Sequence, residues 1–358
     1  MNTDRLVELT SRLKDTLENH AEGFVSDEVF NGWLGRIFQA QFECNPMVRA
    51  WAEARSIKPL EEIDWIRVPA LPTTAFKETD VSCIPRAMRT TVFHSSGTTG
   101  QEPSRHPHCA QSLGLYETSL RRGFLNCTGL ENPPCLWSLT PTPIEAPHSS
   151  LAHMMATLAS APCAGTGRFW GRSSDEGWIV ETDAVAMGLE NLRHPILLCG
   201  TAFNFVHLLD AFPGRRWNLP TGSYVLETGG YKGRSRELPR SDLHGSLAAA
   251  FGLPQTSVLT EYGMSELSSP AYSVPRAIPE DQAELVFPPW TRTRIVSPET
   301  GRMVADGEVG LLEIVDLANL WSSVAIQTAD LARRDGGRIR LIGRASRAEP
   351  RGCSLMST

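Results

Sequence analysis

The sequence lacks the features that mark membrane, nucleic-acid-binding and disulfide-rich proteins. Its 358 residues contain no run of eighteen apolar residues, and Met1-Asn2-Thr3-Asp4-Arg5 leads into no apolar signal segment, which predicts a cytoplasmic protein without an integral membrane segment. A net charge of −6 and the lack of a basic block argue against a nucleic-acid partner. The eight cysteines form no C-x-x-C pair, so we expect neither zinc nor a disulfide framework, but reduced and mostly buried thiols.

The phosphate-binding signature G-x-x-x-x-G-K-[ST] is also absent, because Gln101 follows Gly100. In its place, residues 94–101 read HSSGTTGQ, directly after the extended-looking residues 90–93. The hydroxyls and glycine-flanked amides of such a loop can converge on a polyphosphate, although the same composition is common in solvated turns. The residues that would bind the phosphates are Ser95, Ser96, Gly97, Thr98, Thr99 and Gly100.

Two further elements follow in order along the chain. Residues 261–266 read EYGMSE, and residues 327–330 (QTAD) are followed by 341–344 (LIGR). Taken alone, the first would predict a surface turn that opens a helix, with Ser265 as its N-cap. Its position between the other elements favours a binding site instead.

Together with ETGGYKG at 227–233 and RGCSL at 351–355, these motifs resemble the acyl-protein synthetase family within the adenylate-forming superfamily. The resemblance covers about residues 65–358. It implies an α/β fold, with a large N-terminal domain of mixed sheets flanked by helices and a severely truncated C-terminal domain. It also implies ATP and Mg²⁺ as cofactors and a ligase that activates a carboxylic acid, a fatty acid in this family, as acyl-AMP. The acyl group would then pass through an enzyme thioester to a partner protein such as an acyl reductase or carrier.

Apolar spacing predicts how this fold is organised. Before residue 54 the spacing is helical, with Leu6, Leu9, Leu13 and Leu17 on one face. Short apolar runs then alternate with helical ones, which is typical of a largely parallel sheet with helices on both faces. Ligands of such sheets bind beyond the carboxyl ends of the strands, and we expect every candidate loop to follow one. From about residue 311 the pattern predicts a meander. The predicted regions are a helical N-terminal region (1–88), an adenylate-forming core (89–326) and a short C-terminal remnant (327–358).

The resemblance assigns roles to individual residues. It implies that Tyr262 packs near adenine, that the Ser265 hydroxyl meets the α-phosphate and that Glu266 helps to hold magnesium. One carboxylate suffices for a cation that also binds phosphates and waters. Asp330 would hold the ribose hydroxyls. The remaining assigned residues are Gly229 and Gly230 beside adenine, Gly263 in the motif, and Arg344 at ribose or phosphate.

Two cations and a cysteine complete the candidate catalytic groups. Arg105 is our candidate to replace the lysine that superfamily loops usually carry, whereas Lys232 would contact a phosphate, contact the substrate carboxylate or remain a solvated surface residue. Related enzymes carry a C-terminal domain of roughly one hundred residues, but only fourteen residues follow Arg344. By resemblance, Cys353 near Arg347 and Arg351 is the residue that is acylated, since guanidinium groups favour the thiolate.

Several alternatives remain open. Without the resemblance, Cys353 would be a terminal cysteine with no role. The chain could instead be an acid–CoA ligase of the phenylacetate type or a non-catalytic regulatory subunit. Residues 148–155 and 200–205 are plausible walls of an acyl pocket, although the same Met and Phe spacing is typical of ordinary core.

Overall fold

The computed structural model describes most of the chain and most of the predicted site. The described residues are 3–59, 63–95, 103–130, 132–160, 167–174, 177–229, 238–273 and 284–345. The predicted site residues outside them are Ser96, Gly97, Thr98, Thr99, Gly100, Gly230, Lys232 and Cys353.

Helices and strands alternate through the middle of the chain. The helices are α1 (Asp4–Asn19), α2 (Asp27–Cys44), α3 (Pro46–Glu53), α4 (Ala75–Glu78), α5 (Ala110–Thr128), α6 (Ser150–Ala159), α7 (Thr182–Glu190), α8 (Ala202–Ala211) and α9 (Arg240–Phe251). The strands are β1 (Leu71–Pro72), β2 (Thr91–His94), β3 (Arg105–His108), β4 (Cys135–Ser138), β5 (Arg168–Phe169), β6 (Gly171–Ser174), β7 (Gly177–Val180), β8 (Ile196–Thr201), β9 (Tyr224–Thr228), β10 (Val258–Tyr262), β11 (Ala271–Ser273), β12 (Leu285–Val286), β13 (Thr291–Val296), β14 (Val309–Asp316), β15 (Ala325–Asp335) and β16 (Arg338–Arg344).

A large mixed sheet organises the molecule. Its strand order is β13-β14-β15-β16-β12-β11-β10-β9-β8-β4-β5, and β1 joins β15 at the side. The strands from β10 to β5 pair in parallel, whereas those from β11 to β13 pair antiparallel. The expected parallel sheet and the expected meander are therefore two halves of one sheet, in a mixed α/β fold.

The parallel half is buried on both faces because successive side chains of a strand point to opposite sides. In β8, Ile196 and Leu198 lie in the core beneath α7, α8 and α9. Their neighbours Leu197 and Cys199 lie in the core beneath α5 and α6. This explains why these strands read as continuous apolar runs rather than as an alternating pattern.

The N-terminal helices cover the antiparallel half. Leucines of α1 and aromatic residues of α2 share one core with the apolar residues of β14 and β15. Gln41, which is fully buried, fixes this contact: its Nε2 donates to Asn319 O (2.8 Å) and Leu320 O (3.0 Å), and its Oε1 accepts from Val324 N (3.0 Å). The predicted helical region at the N-terminus thus supports the strands that carry Asp330.

Two expectations need correction. The hydroxyl-rich loop does not follow a strand of the large sheet, since β2 pairs antiparallel with β3 in a separate hairpin. The connection between these strands is too short for the helical crossover that parallel strands require. Among the described cysteines, five are buried and form no disulfide, but Cys135 is disulfide-bonded. Over the described residues, we find no helix of the length and apolarity needed to cross a membrane.

Candidate functional site

The β2–β3 hairpin closes the base of the hydroxyl-rich loop. Ser95 N donates to Ser104 O (3.1 Å), and Ser104 N donates to the Ser95 hydroxyl oxygen (2.9 Å). Arg105, the first residue of β3, is exposed and lies directly across the hairpin from His94. Ser95 and Ser104 are thereby held together, and the cation Arg105 lies beside them.

Glu266 is the central buried carboxyl of the site. The Ser104 hydroxyl donates to its Oε1 (3.2 Å), and His106 Nε2 lies 3.7 Å from the same oxygen. Burial, together with the charges of His108 and His94, lowers the pKa of His106 to about 3, so its ring is neutral. Since Ser104 donates to Glu266, the 2.8 Å contact between Ser104 and His106 is donated by His106 Nε2–H. The resulting chain of two hydrogen bonds orients one oxygen of Glu266.

The ionisation of Glu266 also depends on two cations. Burial raises its pKa, while the backbone, the Ser104 hydrogen bond and the charges of Lys77 and Arg344 lower it. Lys77 comes from α4 and Arg344 from β16, so elements far apart in sequence act on one carboxyl. Phe76, the neighbour of Lys77, stacks on His106 with ring centroids 5.3 Å apart.

Buried side chains at and after the end of β14 hold the loop that carries Glu266. Asn319 Nδ2 donates to the Glu266 carbonyl (2.9 Å). Fully buried Asp316 accepts from Ser268 N (3.1 Å) and from the Ser269 hydroxyl (2.7 Å). A turn and then strand β11 follow Ser265 rather than a helix. The alternative of a helix capped by Ser265 is therefore wrong, because buried partners hold this segment as a loop.

Tyr262, Asp330 and Arg344 form a second polar cluster. The Tyr262 hydroxyl donates to Asp330 Oδ2 (2.8 Å), and Arg344 Nε donates to Oδ1 (3.3 Å). Asp330 and Arg344 lie opposite each other in the β15–β16 pairing. Both carboxylate oxygens are therefore oriented by the other two motif residues.

Further predicted site residues lie at the carboxyl ends of the paired strands β9 and β10. The Thr228 hydroxyl donates to Glu261, and the two residues are register partners. Gly229 follows with φ +68°, a backbone conformation that glycine adopts without a Cβ penalty. A Cβ at Gly263 would lie 2.3 Å from Glu261 Oε1, so a side chain at this position of the motif would displace the Glu261 carboxyl.

Ser265 of the EYGMSE motif contacts the β2–β3 hairpin. The Ser265 hydroxyl lies 3.4 Å from His94 O, to which it donates, and 3.2 Å from the Ser150 hydroxyl at the start of α6. Ser265 thus links β2, α6 and the Glu266 loop. The predicted residues Ser95, Arg105, Tyr262, Gly263, Ser265, Glu266, Asp330 and Arg344 come from three ordered motifs, and contacts connect these motifs in space.

Sequence reasoning missed the residues that orient Glu266. Ser104, directly before β3, and His106, within it, are two residues apart, and both contact Glu266. This two-residue spacing is visible in the sequence, but the strand register that places both side chains near Glu266 is not. Lys77 belongs to none of the motifs singled out in the sequence, and its charge acts on Glu266 only because of the fold.

The two proposed acyl-pocket walls do not lie on one surface. Met155 belongs to the core on the α5–α6 face, whereas Phe205 belongs to the core on the opposite face. His153 Nε2 contacts Glu117 Oε1 at 3.1 Å, which makes it a helix residue with a partner. The interpretation as ordinary core therefore holds for these side chains.

The donor set constrains any metal. Within the described ranges, no group of three or more His, Cys, Asp or Glu side chains is arranged to hold a metal ion. Ser104 and His106 both approach Oε1 of Glu266, so Oε2 is the oxygen that a cation would use. One carboxylate fits Mg²⁺ that takes its other ligands from phosphates and water.

Solved structures share this fold at low sequence identity. An open conformation of 2-hydroxyisobutyryl-CoA ligase in complex with 2-HIB-AMP and CoA superposes with a TM-score of 0.63 at 17% identity, covering 89% of this chain and 74% of that chain. ATP-bound MatB from Rhodopseudomonas palustris gives a TM-score of 0.51 at 15% identity, covering 80% of this chain and 50% of that chain. These similarities establish the adenylate-forming-enzyme fold.

Sequence comparison gives the family. The chain is similar to a long-chain-fatty-acid–luciferin-component ligase of Aliivibrio fischeri, with 27% identity over 182 residues, or 47% of this chain and 46% of that protein. The chain thus matches about half the length of this curated relative. The sequence model of the acyl-protein synthetase LuxE family matches residues 19–358. With nearly its whole length matched, the chain belongs to the acyl-protein synthetase LuxE family.

Proposed function

We propose that this chain is an ATP-dependent acyl-protein synthetase. It activates a carboxylic acid of the fatty-acid class as acyl-AMP, forms a thioester on Cys353 and passes the acyl group to a partner protein such as an acyl reductase or carrier. Family membership and the similarity to a fatty-acid ligase support this proposal. The observation that carries it is the placement of Glu266 between Ser104 and the Tyr262–Asp330–Arg344 cluster.

In the first half-reaction, a carboxylate oxygen attacks the α-phosphorus of ATP and pyrophosphate leaves. The protein must hold two anions together and stabilise charge on the phosphates. Asp330 accepts hydrogen bonds from the ribose hydroxyls, and Ser265 donates a hydrogen bond to the α-phosphate. Arg105 and Arg344 supply positive charge. Lys232 and residues 96–100 lie outside the described residues, and their roles at the phosphates are part of the same proposal.

Glu266 holds Mg²⁺ through Oε2 in this proposal. The ion supplies charge neutralisation on the phosphates when it is bound. Ser104 and His106 keep the carboxylate oriented through Oε1, and burial keeps competing water away from it. Lys77 and Arg344 favour the ionised form of Glu266, which is the form that binds a cation.

In the second half-reaction, a thiolate attacks the acyl carbonyl and AMP leaves. Cys353 lies outside the described residues, and its assignment depends on the family and on the neighbouring arginines. Thiolates, not thiols, are the nucleophiles in such transfers. The acyl group then moves to the partner by the same type of exchange between acceptors.

Intact-mass spectrometry tests the proposal. The chain is incubated with ATP, Mg²⁺ and a panel of fatty and aromatic acids. We expect an acyl adduct that hydroxylamine removes and that Cys353→Ala lacks. The matched control is Cys44→Ala, which removes a buried cysteine in α2 that forms no disulfide and should leave the adduct intact.

Other outcomes distinguish the alternatives. Product that forms only when CoA is added would identify an acid–CoA ligase and contradict the thioester on Cys353. No adduct, no CoA thioester and no release of pyrophosphate with any acid would indicate a non-catalytic subunit.

A further inference from the structure

One histidine, His148, holds the segment before α6 against the β2–β3 hairpin. His94 N donates to His148 O (2.9 Å), and His148 Nδ1 lies 2.8 Å from Val92 O. The His148 ring also stacks on the His94 ring, with centroids 4.5 Å apart and planes at 6°. Three contacts therefore fix the position and orientation of an exposed imidazole.

The hydrogen bond to Val92 sets the tautomer of His148. A carbonyl oxygen only accepts hydrogen bonds, so Nδ1 carries the proton. In the neutral ring Nε2 is then an unprotonated base. A backbone carbonyl that holds Nδ1–H is a common way to orient a histidine that transfers protons through Nε2.

His148 is linked through His94 to Ser265, the residue that the proposed function places at the α-phosphate. His94 connects them, since its carbonyl accepts from Ser265 while its ring stacks on His148. Ser150, two residues after His148, lies 3.2 Å from the Ser265 hydroxyl. A nucleophile that approaches the acyl-AMP from solvent on this side would pass the exposed edge of His148.

Neighbouring groups are less suited to this role. Burial, together with the charges of His148, before α6, and Arg105, on β3, lowers the pKa of His94, which makes His94 the weaker base. The other imidazoles around the hairpin have a ring nitrogen engaged by a side chain: His106 with Ser104, His108 with Ser112 and His153 with Glu117.

We propose that His148 is the general base of the thioester-forming step. This inference rests on the proposed function and adds a catalytic residue to it. Nε2 takes the proton from the acceptor thiol, and the sulfur of the resulting thiolate bonds to the acyl carbon. The bond between that carbon and the AMP oxygen breaks, the electron pair leaves on AMP, and the imidazolium returns its proton to water.

Two substitutions separate a base from a docking contact. His148→Asn keeps an amide donor near the position of Nδ1, and His148→Gln moves the amide to the position of Nε2. A base role predicts that both variants lose thioester formation at about pH 7 to a similar extent, about 100-fold. If His148 only holds the segment before α6 in place, His148→Asn should retain the rate, because it keeps a donor near the position of Nδ1, and His148→Gln should lose it. His207→Asn is the matched control, because His207 is an exposed histidine on α8 that stacks on Phe203.

The rate of acylation is measured by quenched-flow mass spectrometry at two pH values, with pyrophosphate exchange measured in parallel. Above the thiol pKa of about 8.5 the thiol ionises without help, so the defect should shrink at high pH while exchange continues in both variants. Acylation near the wild-type rate in both variants, or an equal defect at both pH values, would overturn the proposal. Absence of exchange in the wild type would instead overturn the proposed function, and this inference with it.

Discussion

At the scale of single residues, the site depends on a carboxyl subject to opposing effects. Burial favours the neutral form of Glu266, whereas Ser104, Lys77 and Arg344 favour the ionised form. A bound cation would strengthen the second tendency, because it replaces lost solvation with direct coordination. This balance is what we expect of a residue that binds a metal ion together with nucleotide, as the proposed function assigns to Glu266.

Glu266→Gln tests this role. The amide has nearly the same shape but cannot supply a negative charge, so we expect pyrophosphate exchange to fall by about 100-fold or more at saturating acid. The measurement is the exchange rate over a titration of Mg²⁺. Glu299→Gln, at an exposed position in the turn after β13, is the control. An unchanged rate and an unchanged Mg²⁺ dependence in Glu266→Gln would contradict the assignment.

Glu261 predicts a pH effect on stability rather than on chemistry. Burial raises its pKa to about 7, against a hydrogen bond from Thr228 and with the charge of Glu227. Between about pH 4.5 and pH 7 the unfolded chain releases this proton before the folded chain does. The folded state binds more protons in that window, so this group's stabilisation is lost as pH rises.

Glu261→Gln should remove that slope. The free energy of unfolding of the variant relative to wild type should rise between about pH 4.5 and pH 7, by at most about 1.4 kcal/mol per pH unit. Urea denaturation at several pH values measures it. A difference that stays constant with pH would show that Glu261 titrates alike in the folded and unfolded chains.

The sequence predicted the site residues better than their supports. Tyr262, Asp330 and Arg344 were identified by their motifs and contact one another. Ser104 and His106 were not identified, because their contacts depend on the hairpin register and on Glu266, which is 162 positions from Ser104. The short motifs contain the residues with proposed chemical roles, whereas contacts between residues far apart in sequence orient those side chains.

At the scale of elements, a buried ion pair joins the meander to the chain before β1. Arg294 on β13 pairs with Glu313 on β14, and both side chains are buried. Arg294 also donates to the carbonyls of Trp65, Ile66 and Val68. One guanidinium therefore satisfies a carboxylate and a stretch of backbone at once.

Arg294→Ala should destabilise the fold by about 3–5 kcal/mol, because it leaves Glu313 buried without its partner. Replacing both residues in Arg294→Leu/Glu313→Leu should recover part of that loss. Chemical denaturation measures both free energies. The exposed pair Arg12 and Glu8 on α1 is the control, and its removal should cost about 1 kcal/mol or less. If Arg294→Ala cost no more than the control, the pair would not anchor these elements.

The elements themselves followed the sequence pattern closely. The short apolar runs predicted for the middle of the chain include strands β4, β8 and β9, and the helical runs between them include α6 and α8. The hairpin β2–β3 was mistaken for part of the large sheet. Its strands have mixed burial, so neither periodicity nor apolar content revealed which strand each would pair with.

At the scale of the whole molecule, distant segments meet around one site. The hairpin contributes Ser104 and Arg105, the parallel half of the sheet contributes the Tyr262–Glu266 loop, and the meander contributes Asp330 and Arg344. The N-terminal helices share a core with that meander. The domain boundaries at 88 and 326 remain a prediction, but the packing makes the helical region a structural partner of the site.

The central claim is that adenylation and thioester formation are separate steps at separate residues. It is tested most directly by measuring pyrophosphate exchange and acyl-enzyme formation side by side in the wild-type chain and in Cys353→Ala, with ATP, Mg²⁺ and a fatty acid. We predict that Cys353→Ala keeps exchange within about threefold of wild type and forms no acyl-enzyme. Full acylation of Cys353→Ala, or loss of exchange together with acylation, would contradict the account.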